Sequence, residues 1–238
     1  MRVPVTLLVS LSALLGASPA SAEEAPAAPL QDAPKVPSRA FDRRQVMTRM
    51  EIGYRGSFIA NAGYNPFSTN DYLPQFSLAA LRTILARHRF AFASGIAWDF
   101  ASTGATDRGG DNASLTLHRL TLPLEGRAHF GEWGYVFLRV APGVALVSAS
   151  IDDLSSPAPL TKARWLFATD ASVGYNWLLM PRGGALSRVG RMWLQTDVGY
   201  GWMASERLNL VPAGASGVDL GTLTLSGAFF RVALAASL

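Results

Sequence analysis

Between residues 47 and 238 the chain repeats one signal eight times: a segment of about a dozen residues whose side chains alternate apolar and polar. A period of two sends successive side chains to opposite faces of a strand, so each segment has a greasy face and a polar face. The first sets Met50, Ile52, Tyr54 and Phe58 against Arg49, Glu51, Gly53 and Arg55. The third sets Phe90, Phe92, Ile96, Trp98 and Phe100 against Ala91, Ala93, Gly95, Ala97 and Asp99. In the sixth, Trp165, Phe167, Val173, Tyr175 and Trp177 oppose Asp170, Ser172, Gly174 and Asn176. In the seventh, Met192, Leu194, Val198, Tyr200 and Trp202 oppose Gln195, Asp197, Gly199 and Gly201. The fourth and fifth are noisier, with Leu120, Leu122, Leu124 and Phe130 opposite Arg119, Glu125, Arg127 and His129, then Val136, Leu138, Val140 and Val144 opposite Arg139, Ala141 and Gly143. The eighth carries Phe230, Val232 and Leu234 on one parity, with Phe229 and Arg231 on the other. The second, 72–85, is the weakest, because Arg82 shares parity with Phe76 and Leu78. A bulge near Ala79-Ala80, or an arginine snorkelling at a membrane edge, would reconcile it.

Connector lengths point the same way. Arg87-His88 and 131–134 are tight turns and 180–190 is moderate, whereas 61–71, 101–114, 148–163 and 204–218 are long and polar. Short turns on one side and long loops on the other mark an outer-membrane barrel. A soluble barrel would show water a polar face rich in lysine, glutamate and threonine. Here that face is mostly glycine, alanine and serine with isolated ions, which suits a narrow enclosed lumen. Trp165 and Trp177 are twelve residues apart; at ~3.3 Å per residue and ~40° tilt they stand roughly 30 Å apart in height, near the thickness of the apolar band. The fold predicted is all-β, an eight-stranded antiparallel up-and-down transmembrane barrel over 46–238. Pro74, Pro123 and Pro142 fall inside proposed strands of a ring with no free edge to excuse a missing donor. A ladder defect, a bulge shared by Pro123 and Pro142, is expected there.

Residues 1–22 have the form of a cleavable export signal: Arg2, an apolar run through Leu14 and Leu15, and a small-residue site at Ala20-Ser21-Ala22. Residues 23–45, with Pro26, Pro29, Pro34 and Pro37 among alanines and charges, read as a disordered periplasmic tether. The absence of cysteine excludes disulfides, thiolate chemistry and a lipidated cysteine. Without Arg2, 20 basic side chains face 17 acidic ones, a scattered excess of three that argues against nucleic acid.

On these features the chain resembles the small Gram-negative outer-membrane barrels of OmpA/OmpX/OmpW-like architecture. Strings such as Arg139-Val140-Ala141-Pro142-Gly143 and Asp170-Ala171-Ser172-Val173-Gly174-Tyr175 resemble uncharacterised barrels of this sort. The resemblance implies an outer-membrane location and insertion by the barrel-assembly machinery, which reads an apolar, usually aromatic, last residue. This chain ends on Phe230, Val232, Leu234 and Leu238, closing on leucine. The resemblance carries no assigned activity.

Glu51, Arg55, Glu125, Arg139, Asp170, Asp197 and Arg231 face inward at middle depths. Unpaired charges in a poorly hydrated interior are costly, so they should pair into a network. Small barrels fill their interiors, so this network reads as a structural plug; the alternative is a gate or narrow path for ions or small solutes. Of the histidines, His88 sits in a turn, His129 near the periplasmic rim, and His118 points outward near the upper boundary. None has metal-ligand spacing, and no cofactor is implied. A barrel-wall lipid hydrolase resembling the lipid A deacylases would need a serine two residues after His118, where this chain has Leu120. Arg108, Lys162, Arg164 and Arg207 suit lipopolysaccharide phosphates. The expected protein is a non-enzymatic, monomeric outer-membrane barrel that contacts lipid and lipopolysaccharide. It has a plugged polar lumen and a structural or surface-interaction role through four extracellular loops.

Overall fold

A strand whose greasy face meets hydrocarbon cannot leave its backbone donors and acceptors unpaired, so the sheet must close on itself. The computed structural model describes residues 48–106, 111–131, 133–152, 159–180, 191–210 and 218–237. Residues 1–47, where an export signal and tether are expected, Arg108, Leu238 and the connector at 181–190 lie outside the described residues. β1 (Thr48–Phe58) pairs with β2 (Tyr72–Arg87), and β2 with β3 (Phe90–Thr106). β3 pairs with a stave in two pieces, β4 (Asn112–Thr121) and β5 (Leu124–His129), and that stave pairs with β6 (Gly134–Asp152). β6 pairs with β7 (Leu160–Met180) and β7 with β8 (Met192–Met203). The chain then makes a separate hairpin, β9 (Glu206–Leu210) and β10 (Val218–Leu223). Finally β11 (Gly227–Ser237) pairs with β8 on one side and β1 on the other. Counting β4 and β5 as one stave, eight antiparallel staves form a closed ring, the barrel the alternation predicts.

The prolines act differently from the expected bulge. β4 stops at Thr121 and β5 starts at Leu124, so Leu122-Pro123 drops out of the ladder. Thr121 faces Ala97 and Leu124 faces Ser94, which leaves two residues opposite two. The defect is therefore an interruption without an inserted residue. Its neighbours bridge it: the Leu122 N–H donates to the Pro142 carbonyl at 2.8 Å, and the Gly95 N–H to the Pro123 carbonyl at 3.2 Å. Pro74 lies beyond Phe76↔Phe100, the uppermost β2–β3 pair, where β2 is laddered only to β1. In β2, Ala79 and Ala80 stay in register with Ala97 and Ile96, and the shift comes lower, between Thr83 and Leu85. Arg82 points outward, the snorkelling geometry. The turn below is tight enough to hold His88 at φ 52°.

The outer wall is apolar over its middle, with Leu138 at 68% exposure flanked by exposed Val136 and Val140. Exposed Phe90, Phe130, Trp133 and Trp177 ring the tight-turn end, and Phe58, Phe167, Trp165 and Trp202 the other. Water would not wet so broad an apolar belt; it is a lipid-facing surface bounded by two aromatic girdles. The strands also run on above it. At ~3.3 Å per residue and ~40° tilt, the 21 residues of β7 rise about 50 Å, roughly twice the ~25 Å apolar band. Segments 101–106, 112–114, 148–152 and 160–163, expected as loop, are strand. Above the girdle the pattern inverts: Ser102, Gly104 and Ser114 face out, while Ala101, Leu115, Leu117, Val147 and Ala149 face in and are buried.

The belt predicts an asymmetry. Leu138→Arg at mid-belt should cost about 2–4 kcal/mol in urea unfolding from lipid vesicles, and Ser102→Arg above it less than about 0.5 kcal/mol. Equal costs at both positions would contradict a lipid-facing wall.

Candidate functional site

An eight-stave ring has an interior that side chains can fill, so inward parity places charges within reach of each other across the lumen. Two clusters result. The one nearer the tight turns holds Arg49, Arg127 and Arg139 with Glu51 and Glu125, all buried. Glu125, fully buried, accepts from Arg139 Nη2 at 2.5 Å, from Arg127 Nε at 2.6 Å and from Arg49 Nη2 at 3.2 Å. Glu51 accepts from Arg49 and, at 3.2 Å, from Arg139 Nη2. Gln195 supplies an oxygen to Arg49 at 3.2 Å and donates from Nε2 to Asp197 at 3.1 Å.

The second cluster lies higher. Arg55 donates to both oxygens of Asp170, at 2.5 and 3.2 Å, the bidentate geometry that suits a guanidinium fork. Arg119 bridges Asp170, at 2.9 Å, and Asp99. Gly201 makes room for this pairing: a Cβ there would stand 2.7 Å from Arg55 Nη2 and 2.8 Å from Asp170 Oδ1. Asp197 and Arg231 are register partners on β8 and β11, between the two clusters. The ring of Phe229 lies 3.7 Å from the Arg55 guanidinium carbon and 5.7 Å from that of Arg231, so a π-face backs these cations.

Apolar side chains are buried toward both ends of the lumen, so its lining is not polar along its whole length. At the tight-turn end Tyr135, Phe137 and Trp193 are buried together, with the Trp193 indole N–H on Ser237 Oγ at 3.1 Å. At the other end Ile59, Leu73, Leu115, Leu117, Val147 and Met203 form an apolar core. Phe67, from the short 3-10 turn at Asn65–Phe67, and Tyr64, which caps it, enter that core, as do Leu223 and Leu225.

Glu51, Glu125 and Arg139 thus come together in the first cluster, and Arg55 and Asp170 in the second. The alternation puts Arg49, Asp99, Arg119 and Arg127 on the inward face, but it does not reveal their depth. Depth follows from strand stagger: only the register that sets Asp99 opposite Arg119, and Glu125 opposite Arg139, shows which charges share a layer. Of the surface cations, Lys162 Nζ donates to the Arg207 carbonyl at 2.5 Å and lies 3.2 Å from Glu206. Arg164 is 3.6 Å from the same carboxylate and stays 61% exposed. His118 faces outward, 5.0 Å from the Phe100 ring and 6.0 Å from the Trp98 ring. His129 packs on Tyr135 at 4.8 Å. Among the described residues no acidic, histidine or cysteine cluster could hold a metal ion.

No protein-family model and no curated protein matches the chain. Similar solved structures include the attachment invasion locus protein Ail of Yersinia pestis in complex with the heparin analogue sucrose octasulfate. It is 10% identical with TM-score 0.48, covering 81% of this chain and 98% of that one. Neisserial surface protein A is 9% identical with TM-score 0.40, covering 81% and 94%. The outer membrane protease OmpT from Escherichia coli is 7% identical with TM-score 0.42, covering 80% and 95%.

Removing one member of a buried ion network strands its partners. Glu125→Gln should therefore destabilise the barrel by about 3–5 kcal/mol in urea unfolding. Adding Arg139→Gln to that variant should cost less than it does in the wild type, because its main acceptor has already gone. Strictly additive costs would show that the two do not act as a unit.

Proposed function

We propose that this chain is an outer-membrane barrel with a closed lumen, a structural or surface-interaction protein whose extended strands and connectors meet the exterior. One observation carries the closure: apolar side chains are buried on both sides of the charged layers, with Phe67 and Leu117 on one side and Tyr135 and Trp193 on the other. The surface role is supported by β3, β4, β6 and β7, which rise above the upper aromatic girdle with polar side chains outward. Arg164 and its neighbours Lys162 and Arg207 stand at that height and are suited to lipopolysaccharide phosphates. Export by signal cleavage and insertion as a monomer belong to the same reading.

The runner-up is a narrow passive channel, favoured by the two charged layers stacked in the middle of the lumen. A barrel-wall hydrolase has less support, since the outward residue two beyond His118 is Leu120 and a nucleophile needs a base within reach.

In planar bilayers the purified protein should give no steady openings. Steady currents that change with Arg139→Gln would overturn the closed lumen in favour of the channel. The mature protein should begin at Glu23 on N-terminal sequencing; retention of residues 1–22 would contradict export by cleavage. Replacing Arg108, Lys162, Arg164 and Arg207 together by glutamine should reduce co-purifying lipopolysaccharide; unchanged retention would remove the phosphate contacts.

A further inference from the structure

The register shift low in β2 changes which way its last arginine points. Above the shift Arg82 stands opposite Ser94 and Thr83 opposite Ala93; below it Leu85 stands opposite Phe92 and Arg87 opposite Phe90. Ile84 is therefore an extra residue, and two residues of β2 face one of β3, a bulge that re-aims the side chains beyond it. By simple alternation Arg87 would share the inward face of buried Thr83. Instead it shares the outer face with Phe90, so Arg82, Ile84, Leu85 and Arg87 are all exposed on the outer wall of one strand.

These two cations meet no counter-charge on that wall. Strand β2 carries no acidic residue, and the carboxylates of its neighbours β1 and β3, Glu51 and Asp99, are turned into the lumen and buried. Arg82 is the more deeply placed. It lies level with Ser94, four residues above Phe90 of the lower girdle, which at ~3.3 Å per residue and ~40° tilt is about 10 Å inside the apolar band. A guanidinium that starts there has to run down the wall toward the headgroups. Its surroundings leave the way open. Its register partners Thr48 and Ser94 are small hydroxyl side chains, and below it Ile84 and Leu85, 63% and 65% exposed, lie beside Phe92 as an apolar strip. Arg87 bounds that strip on its lower side. Guanidinium groups bracketing an apolar strip match the two chemistries of a phospholipid, a phosphate beside acyl chains.

We propose that this strip binds an anionic glycerophospholipid of the periplasmic leaflet, with Arg82 and Arg87 on the phosphate and Ile84, Leu85 and Phe92 against the acyl chains. The planar guanidinium fork suits phosphate oxygens, and the tight turns mark the periplasmic end. With no carboxylate on this face to receive an ammonium group, the site favours phosphatidylglycerol over a zwitterionic lipid. It lies at the opposite end of the barrel from the lipopolysaccharide contacts and does not depend on them.

The test uses the full-length mature protein, which has no native cysteine. One fluorophore is placed on Ala80→Cys, outward and just above the strip, or on Leu138→Cys, mid-belt on β6, as the control. The protein is folded into phosphatidylcholine vesicles in which about a tenth of the lipid is acyl-brominated phosphatidylglycerol or, for comparison, acyl-brominated phosphatidylcholine. At position 80 brominated phosphatidylglycerol should quench about twofold more than brominated phosphatidylcholine, because a retained anionic lipid keeps its bromines there. At position 138 the two should quench alike. Arg82→Gln with Arg87→Gln should abolish the excess at position 80. Quenching by brominated phosphatidylcholine at 138 reports that each variant is inserted, whatever becomes of the lipid preference. Equal quenching by the two lipids at position 80 would overturn the proposal. So would an equal excess at 138, the mark of diffuse attraction, or an excess at 80 that survives the double substitution.

Discussion

Hydrocarbon offers the peptide group no hydrogen bond, and each unpaired donor or acceptor there costs several kcal/mol. For a chain whose apolar residues come every second position, the escape is a ring in which each strand finds a partner on both sides. The closure between β11 and β1, and between β2 and β3, follows from this constraint. The inner surface is then no longer free to be what a soluble sheet would make it. Eight staves enclose an interior that side chains can fill, so inward charges come within reach of one another, and the two arginine–carboxylate clusters are the consequence.

Closure also explains how the prolines are tolerated. Pro123 and Pro142 sit near each other on adjacent staves, and the groups beside them bond across the gap, with Leu122 donating to Pro142 and Gly95 to Pro123. The ladder loses pairs without losing register, so the inward set beyond the break stays inward. A one-residue slip would have sent Glu125 and Arg127 toward lipid. Pro74 is accommodated another way, at a height where β2 has left the β3 ladder.

Much of the ring was legible because lipid enforces alternation: Phe90 through Phe100 and Val136 through Val144 could only be strands with one greasy side. Legibility stopped where the surrounding medium changed. Above the girdle water lies outside and an apolar core inside, so Ser102 and Ser114 face out while Leu115 and Leu117 face in, and the inverted stretch 101–114 reads as loop. The hairpin of β9 and β10 was missed as a polar connector, and Tyr64 and Phe67 gave no periodic signal because a 3-10 turn, not a strand, carries them into the lumen. For the ions, parity told which side they face. Stagger decided which of them meet, and stagger is a property of paired strands that a single segment does not encode.

The fold depends on what surrounds the outer wall. The chain has no native cysteine, so single cysteines can be placed along β7 at the outward positions Val173, Phe167 and Thr161 and spin-labelled in lipid vesicles. Collision with dissolved oxygen and with a water-soluble nickel chelate then reports the medium at each height. A lipid-facing wall should give oxygen access without chelate access at 173 and 167, and chelate access at 161. Equal chelate access at all three positions would place water against the whole wall and contradict a membrane-spanning barrel.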